Sequence, residues 1–227
     1  MTSNSDEKNL TSVAKKYYYI ANRSNTLLVV YALWAYTILS ALCSLFGVNV
    51  LIKYSIKIRE QTDAAHQILL NAGWYYATAL ELRHNVFMIF AFLYFCWIYR
   101  ASANTHALNR QIKIEFSPGW SMGSYLIPGI NLYWPYKAMR ELWIVNVGSK
   151  TNIILSWWIF IISYFMIDTV LLIAKHLHTD INVIVLAEVV ANTFGMIAAI
   201  IAIKIVTQIN EAQIHHIKTA DTNQFNP

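Results

Sequence analysis

The sequence predicts an all-α polytopic membrane protein with four transmembrane helices. Of its 227 residues, 57% are hydrophobic and only 13% are charged, and the apolar residues are concentrated in long runs. A soluble domain carries about 25% charged residues, whereas a helix crosses the hydrocarbon core of a bilayer with about 20 apolar residues. The composition therefore excludes a water-soluble enzyme, a disordered chain and a secreted disulfide scaffold.

The apolar runs predict four spans, at about residues 26–52, 84–103, 153–174 and 181–206. Together they define a membrane domain at residues 26–206, between an N-terminal segment at residues 1–25 and a C-terminal tail at residues 207–227. Because no small-residue cleavage site follows the first run, it is predicted to be an uncleaved signal anchor. The stretch 64–82 is compatible with a helix that either lies on the outer surface or extends the second span.

The basic residues predict the orientation of the spans. Twelve of the 17 Lys and Arg residues lie on the two terminal segments and on the loop between spans two and three, and five lie on the opposite side. The positive-inside rule places the side richer in basic residues in the cytoplasm. We therefore expect a cell-membrane protein with both termini and the long middle loop cytoplasmic.

The middle loop contains an apolar segment, residues 116–143, that is interrupted twice. Pro128 and Pro135 each remove an amide donor and clash with the preceding helical turn. We expect a broken helix that lies flat at the interface or re-enters the membrane, with its freed carbonyls satisfied by protein or water. Asn131, between the two prolines, can satisfy such a carbonyl locally.

Several motifs occur in order along this part of the chain. They are Trp-Ile-Tyr-Arg-Ala at 97–101, Asn at 104, Ser-Pro-Gly-Trp at 117–120, the turn at 128–131, Pro-Tyr at 135–136 and Glu-Leu-Trp at 141–143. In these motifs the sequence resembles the membrane family named domain of unknown function 4328, most clearly over residues 90–145. The resemblance implies a bacterial multi-pass membrane protein, but no activity and no catalytic residues. The predicted interface motif consists of Arg100, Asn104, Pro118, Gly119, Trp120, Pro128, Asn131, Pro135, Tyr136, Glu141 and Trp143.

Two carboxylates lie inside predicted spans, Asp168 in the third and Glu188 in the fourth. A charged side chain in hydrocarbon is disfavoured by about 2.5–3.5 kcal/mol on the insertion scale. At 1.5 Å per helical residue, both lie roughly 10–12 Å below the outer end of one hairpin, and so they share a depth. They can share a proton, or pair with Arg83 or His84, and Asn192 lies on the same face of the fourth span as Glu188. The cluster is either a buried ion pair that fixes packing or a site for a proton, an ion or a ligand.

Other chemistry is weakly represented in the sequence. His176, His178 and Asp180 bring possible metal ligands into the outer turn, but a solvated turn is the favoured interpretation. We predict no metal site and no cofactor. Because the net charge of +5 reflects membrane orientation, we expect no nucleic-acid partner.

The leading functional hypothesis is a non-enzymatic membrane module. In it, the Trp/Pro segment 116–143 contacts a protein partner, a second copy of the chain or lipid, because its motif consists of structural residue types. The first alternative is a small oligomeric proton or cation transporter, or a channel subunit, that uses Asp168 and Glu188.

The second alternative is a membrane-embedded enzyme that acts on lipid. Lys137, Arg140 and Glu141 share one helical face and Asn131 lies nearby, so that these side chains gather at the cytoplasmic interface. Such a face is more often a solvated surface that contacts anionic lipid.

Overall fold

The computed structural model describes residues 17–109, 111–149, 151–177 and 180–225, except the side chains of Glu60 and of residues 220–225. The described residues are 85% helical, and they contain no strand. The predicted all-α fold is therefore confirmed. Residues 1–16 of the predicted N-terminal segment, residues 226–227 of the predicted tail and His178 of the predicted outer turn lie outside the described residues.

Six α-helices and one short 3₁₀ helix occur in these ranges. They are α1 (Arg23–Glu60), α2 (Asp63–Leu108), α3 (Pro118–Gly123), the 3₁₀ helix (Ile130–Leu132), α4 (Trp134–Val147), α5 (Ile153–His176) and α6 (Ile181–Phe225). Four of them, α1, α2, α5 and α6, are long and apolar enough to cross a membrane. Each of the four predicted spans lies within one of these helices.

The second long helix begins well before the predicted second span. The prediction placed the span at residue 84, whereas α2 begins at Asp63 and includes the whole stretch 64–82. The Thr62 hydroxyl caps this earlier start by accepting a hydrogen bond of 3.2 Å from the Ala65 amide. In the structure this stretch is continuous with the helix of the second predicted span.

The long helices expose much apolar surface. Only 22–44% of the residues in their most apolar stretches are buried within the protein. Large side chains such as Phe92 and Met166 are about two-thirds exposed. Because monomeric soluble proteins rarely expose contiguous apolar patches of more than a few hundred Å², these faces indicate a membrane protein.

The chain forms two compact units, and each long helix contributes residues to both. The first unit comprises Met1–Val30, Ala91–Leu155 and Ile203–Pro227, and the second comprises Tyr31–Phe90 and Ser156–Ala202. In the first unit, Trp97, Met139 and Ile209 are fully buried. In the second, Val50, Tyr76 and Val185 form a cluster.

Close helix packing in the second unit depends on two glycines. A Cβ atom at Gly195 of α6 would lie 2.5 Å from the Tyr36 hydroxyl of α1. At Gly47 of α1, a Cβ atom would lie 3.1 Å from a methyl group of Val189. A Cβ at Gly195 would require the Tyr36 side chain to move, and one at Gly47 would require Val189 to shift slightly.

Candidate functional site

The segment 116–143 is broken, as the two prolines predict. Ser117 caps α3 by accepting a hydrogen bond from the Trp120 amide at 3.3 Å, and Pro118 begins the helix. After Gly129, whose φ of 82° is in the left-handed region, the chain forms the 3₁₀ helix and then α4. The main-chain N–H of Asn131 donates to the Ile127 carbonyl at 2.9 Å. The main chain of Asn131, rather than its side chain, thus satisfies the carbonyl before Pro128.

Glu141 holds the start of this segment in place. One carboxylate oxygen accepts a hydrogen bond of 2.6 Å from the Glu115 amide, and the other accepts one of 3.0 Å from the Phe116 amide. At the far end of α4, the Trp143 indole donates to the Ser149 carbonyl at 2.9 Å. Both oxygens of the carboxylate therefore hold the backbone in place.

Two tryptophans of the segment touch each other and remain partly exposed. The Trp120 and Trp134 ring centroids are 5.6 Å apart, and Trp134 also meets the buried Phe116 ring edge-on at 5.7 Å. Trp120 is 45% exposed and Trp134 is 42% exposed. Nearby, Leu132 and Tyr133 are more than half exposed. The segment thus presents apolar side chains outward from a well-anchored backbone.

The remaining motif residues have various environments. Pro118, Pro135 and Trp143 are buried, Arg100 and Tyr136 are half-buried, and Gly119 and Pro128 are exposed.

The face proposed for a lipid-acting enzyme is not gathered into one site. The Lys137 ammonium lies 5.2 Å from the Tyr133 ring centroid, and Arg140 is exposed. Glu141 instead binds the main chain. The three side chains have different environments, and the carboxylate is already occupied.

The first unit contains a buried network of uncharged polar side chains, which we call the amide network: Asn104, Thr105, Asn146 and Gln213. The Gln213 amide donates to the Ala101 carbonyl at 2.8 Å and to the Thr105 hydroxyl at 3.0 Å. The Asn146 amide donates to the same hydroxyl at 2.8 Å. The network joins α2, α4 and α6 without any charge.

Asn104 extends the amide network to the chain before α1. Its side-chain oxygen accepts a hydrogen bond of 3.0 Å from the Ile20 amide, and its nitrogen donates to the Ile20 carbonyl at 2.9 Å. The nitrogen also donates to Gln213 at 3.4 Å. Asn104, a residue of the predicted interface motif, therefore links the chain before α1 to Gln213 of α6.

The second unit contains an ion pair around Glu188. One oxygen of its carboxylate accepts a hydrogen bond from the Lys175 ammonium at 2.6 Å, and the other accepts one from the Tyr76 hydroxyl. Glu188 is buried, whereas the Lys175 side chain is 50% exposed. Glu188 thus pairs with Lys175 and not with Arg83 or His84.

Arg83 is buried and has neutral partners. Its guanidinium donates to the Asn192 side-chain oxygen and lies 5.9 Å from the Tyr164 ring centroid. The Arg83 Nε and Asn192 Nδ2 donors are buried, and neither has a hydrogen-bond partner among the described residues. His84 is exposed, and its ring contacts the Leu80 carbonyl of its own helix at 2.8 Å. Two buried donors are therefore left unsatisfied in this region.

These residues line a cavity of about 340 Å³ in the second unit, which we call the polar cavity. Its lining includes all five residues of the predicted intramembrane site, Arg83, His84, Asp168, Glu188 and Asn192, together with Glu81 and Lys175. Asp168 is half-buried. No side chain in the described ranges forms an ion pair with its carboxylate.

A family model described as Domain of unknown function (DUF4328) matches residues 60–211. The chain belongs to this family. The match confirms the resemblance found in the motifs. The matched range also contains the residues that line the polar cavity. No curated protein matches the chain, and no solved structure matches it.

The sequence of this DUF4328 member did not reveal every residue of its two polar regions. No motif in the sequence marks Lys175 or Tyr76 as a partner of Glu188. Asn146 and Gln213 were not singled out, because they lie outside the predicted spans. A polar side chain on a helix that continues beyond its apolar run is the signal that could have identified Gln213.

Within the part of the chain that the structure describes, no group of three His, Cys, Asp or Glu side chains is placed to hold a metal ion. The DUF4328 match adds no activity to these observations.

Proposed function

We propose that this DUF4328 protein is a non-enzymatic integral membrane module whose segment 116–143 binds the bilayer interface. The observation that carries the proposal is the partly exposed Trp120–Trp134 pair on a segment whose first residues are held by the Glu141 carboxylate. Tryptophan prefers the interface between headgroups and hydrocarbon, because its ring is apolar and its N–H is polar. A fixed segment that exposes such rings has the properties of an interfacial anchor.

Charge supports lipid as the binding partner of this segment. Lys137 and Arg140 are exposed on α4, the helix that contains Trp134. Each basic residue near an anionic leaflet contributes about 1 kcal/mol of attraction. The exposed aromatic rings of the segment and the two cations on α4 together favour binding to a bilayer over binding to an apolar protein groove.

The proposal includes the orientation predicted from the basic residues, with both termini and the segment in the cytoplasm of a bacterial cell. Single-cysteine labelling tests it, because Cys43 is buried and Cys96 can be replaced by serine. A cysteine at Ser149 should react only after the membrane is opened, and one at Asn182 should react in intact cells. The reverse pattern would contradict the orientation.

Tryptophan quenching in reconstituted vesicles tests the interface itself. Lipids brominated near the glycerol should quench part of the fluorescence of the eight tryptophans, and Trp120→Phe with Trp134→Phe should remove much of that part. Trp97→Phe is the matched control, because Trp97 is fully buried. If aqueous iodide quenches Trp120 and Trp134 while brominated lipid does not, the segment faces water or a protein partner, and the proposal fails.

A second candidate function is the small oligomeric proton or cation transporter. The polar cavity favours it, because the Asp168 carboxylate lines that cavity with no ion-pair partner among the described residues. Asp168→Asn should abolish proton or cation flux in proteoliposomes without loss of folding. Glu188→Gln should have the smaller effect, because Glu188 is already held by Lys175 and Tyr76. Unchanged flux in both variants would exclude this candidate.

A further inference from the structure

A second cavity in the second unit shares a wall with the polar cavity. It has a volume of about 250 Å³ and is lined by apolar side chains of α5 and α6, among them Met166, Val170, Val183 and Ile184. We call it the apolar groove. Leu171 lines both the apolar groove and the polar cavity. Leu171 therefore borders both an apolar space and a charged space.

We propose that one membrane amphiphile occupies both spaces, with a hydrocarbon chain in the apolar groove and a zwitterionic headgroup in the polar cavity. The polar cavity, at about 340 Å³, is at the lower end of the roughly 300–1,000 Å³ typical of small-molecule sites. It has room for a small headgroup. This site does not include segment 116–143, and the proposal is independent of the proposed function.

The headgroup needs an anionic end because of Arg83. No carboxylate of the described residues lies within 4.0 Å of its guanidinium, although the side chain is 4% exposed. Its Nε and the neighbouring Asn192 Nδ2 are donors without partners. Guanidinium groups bind phosphate oxygens through paired hydrogen bonds. Asp168 lines the same cavity but lies beyond 4.0 Å from this guanidinium, so a phosphate would supply the hydrogen-bond acceptors that Arg83 and Asn192 lack.

The headgroup needs a cationic end because of Asp168. Glu188 already accepts hydrogen bonds from Lys175 and Tyr76, whereas the Asp168 carboxylate has no ion-pair partner in the described part of the chain. A primary ammonium can donate hydrogen bonds to this carboxylate, and a quaternary ammonium cannot. A phosphate joined to a primary ammonium is the headgroup of phosphatidylethanolamine.

The experiment measures lipid retention and thermal stabilisation of the full-length, delipidated protein in detergent. The probes are phosphatidylethanolamine, phosphatidylcholine and phosphatidylglycerol with identical acyl chains, together with soluble phosphoethanolamine. We expect phosphatidylethanolamine to be retained and to raise the melting temperature most. Equal effects of the three lipids would overturn the headgroup assignment, and an equal effect of soluble phosphoethanolamine would overturn the role of the groove.

Two variants with matched controls locate the site. Asp168→Asn should lower the preference for phosphatidylethanolamine over phosphatidylglycerol about tenfold, as for one charge-assisted hydrogen bond, and exposed Asp63→Asn should not. Val183→Trp should block the groove, whereas Val190→Trp, also exposed on α6 but outside both cavities, should not. A preference unchanged by Asp168→Asn, or equal retention in the two tryptophan variants, would overturn the proposal.

The result is separable from the other two proposals. Retention by a Trp120→Ala, Trp134→Ala protein should equal that of the wild type, whatever happens to interfacial binding. Cation flux that depends on Asp168 in a protein that retains no lipid would overturn the amphiphile proposal in favour of transport.

Discussion

The two polar regions of this protein differ in how their buried donors find hydrogen-bond partners. In the amide network, the side-chain nitrogens of Asn104, Asn146 and Gln213 each donate two hydrogen bonds, so that every amide donor is used. In the polar cavity, Arg83 and Asn192 retain buried donors without partners. These donated hydrogen bonds hold the helices of the network together, and its one buried side-chain atom without a partner among the described residues is an acceptor, the Asn146 oxygen. Charged groups around an open space with unmet donors instead indicate a place for something else to bind.

The largest expected effect tests the network. Gln213→Met removes an amide that donates to Ala101 and Thr105 and accepts from Asn104. Because buried groups lose their partners, we expect a loss of about 2–3 kcal/mol of unfolding free energy. Thermal unfolding in detergent measures it, with Gln208→Met on the same helix as the control. Equal losses in the two variants would show that the network does not stabilise the fold.

A smaller effect is expected at the ion pair of the cavity. Lys175→Met leaves the buried Glu188 carboxylate with Tyr76 as its remaining partner. Because the Lys175 side chain is half exposed and screened, we expect a loss of about 1 kcal/mol rather than the several expected for a fully buried pair. A double-mutant cycle with Glu188→Gln isolates the coupling. A coupling larger than the loss at Gln213 would reverse the comparison between the two regions.

The smallest effect is expected at Glu141 in the first unit, whose carboxylate accepts hydrogen bonds from two main-chain amides. Glu141→Gln replaces one acceptor with a donor that faces another donor, at the Glu115 or Phe116 amide. We expect a loss of about 1 kcal/mol or less, because the pair of bonds is partly exposed. Hydrogen exchange at residues 115 and 116 should accelerate, and exposed Glu211→Gln should leave it unchanged. Unchanged exchange in Glu141→Gln would show that the carboxylate does not anchor the segment.

Much of the fold could be predicted from hydrophobicity because the four apolar runs are long. The start of α2 could be predicted only as one of two alternatives, because residues 63–83 contain polar residues and the apolar run does not mark where the helix begins. The site was partly predictable for a related reason. The helical rise per residue predicts that Asp168 and Glu188 lie at one depth. It does not predict which side chain of a neighbouring helix contacts each carboxylate. The Lys175 contact with Glu188 depends on how α5 and α6 pack, which the sequence does not specify.

The two-point contact between Asn104 and Ile20 has an evolutionary consequence. The amide group of Asn104 bonds to the Ile20 main chain in the way that a neighbouring peptide unit would. Such a contact fixes the position of the main chain at residue 20 and does not involve the side chain of that residue. Position 20 should therefore accept almost any amino acid in a saturation library, with proline rejected because it has no N–H to offer.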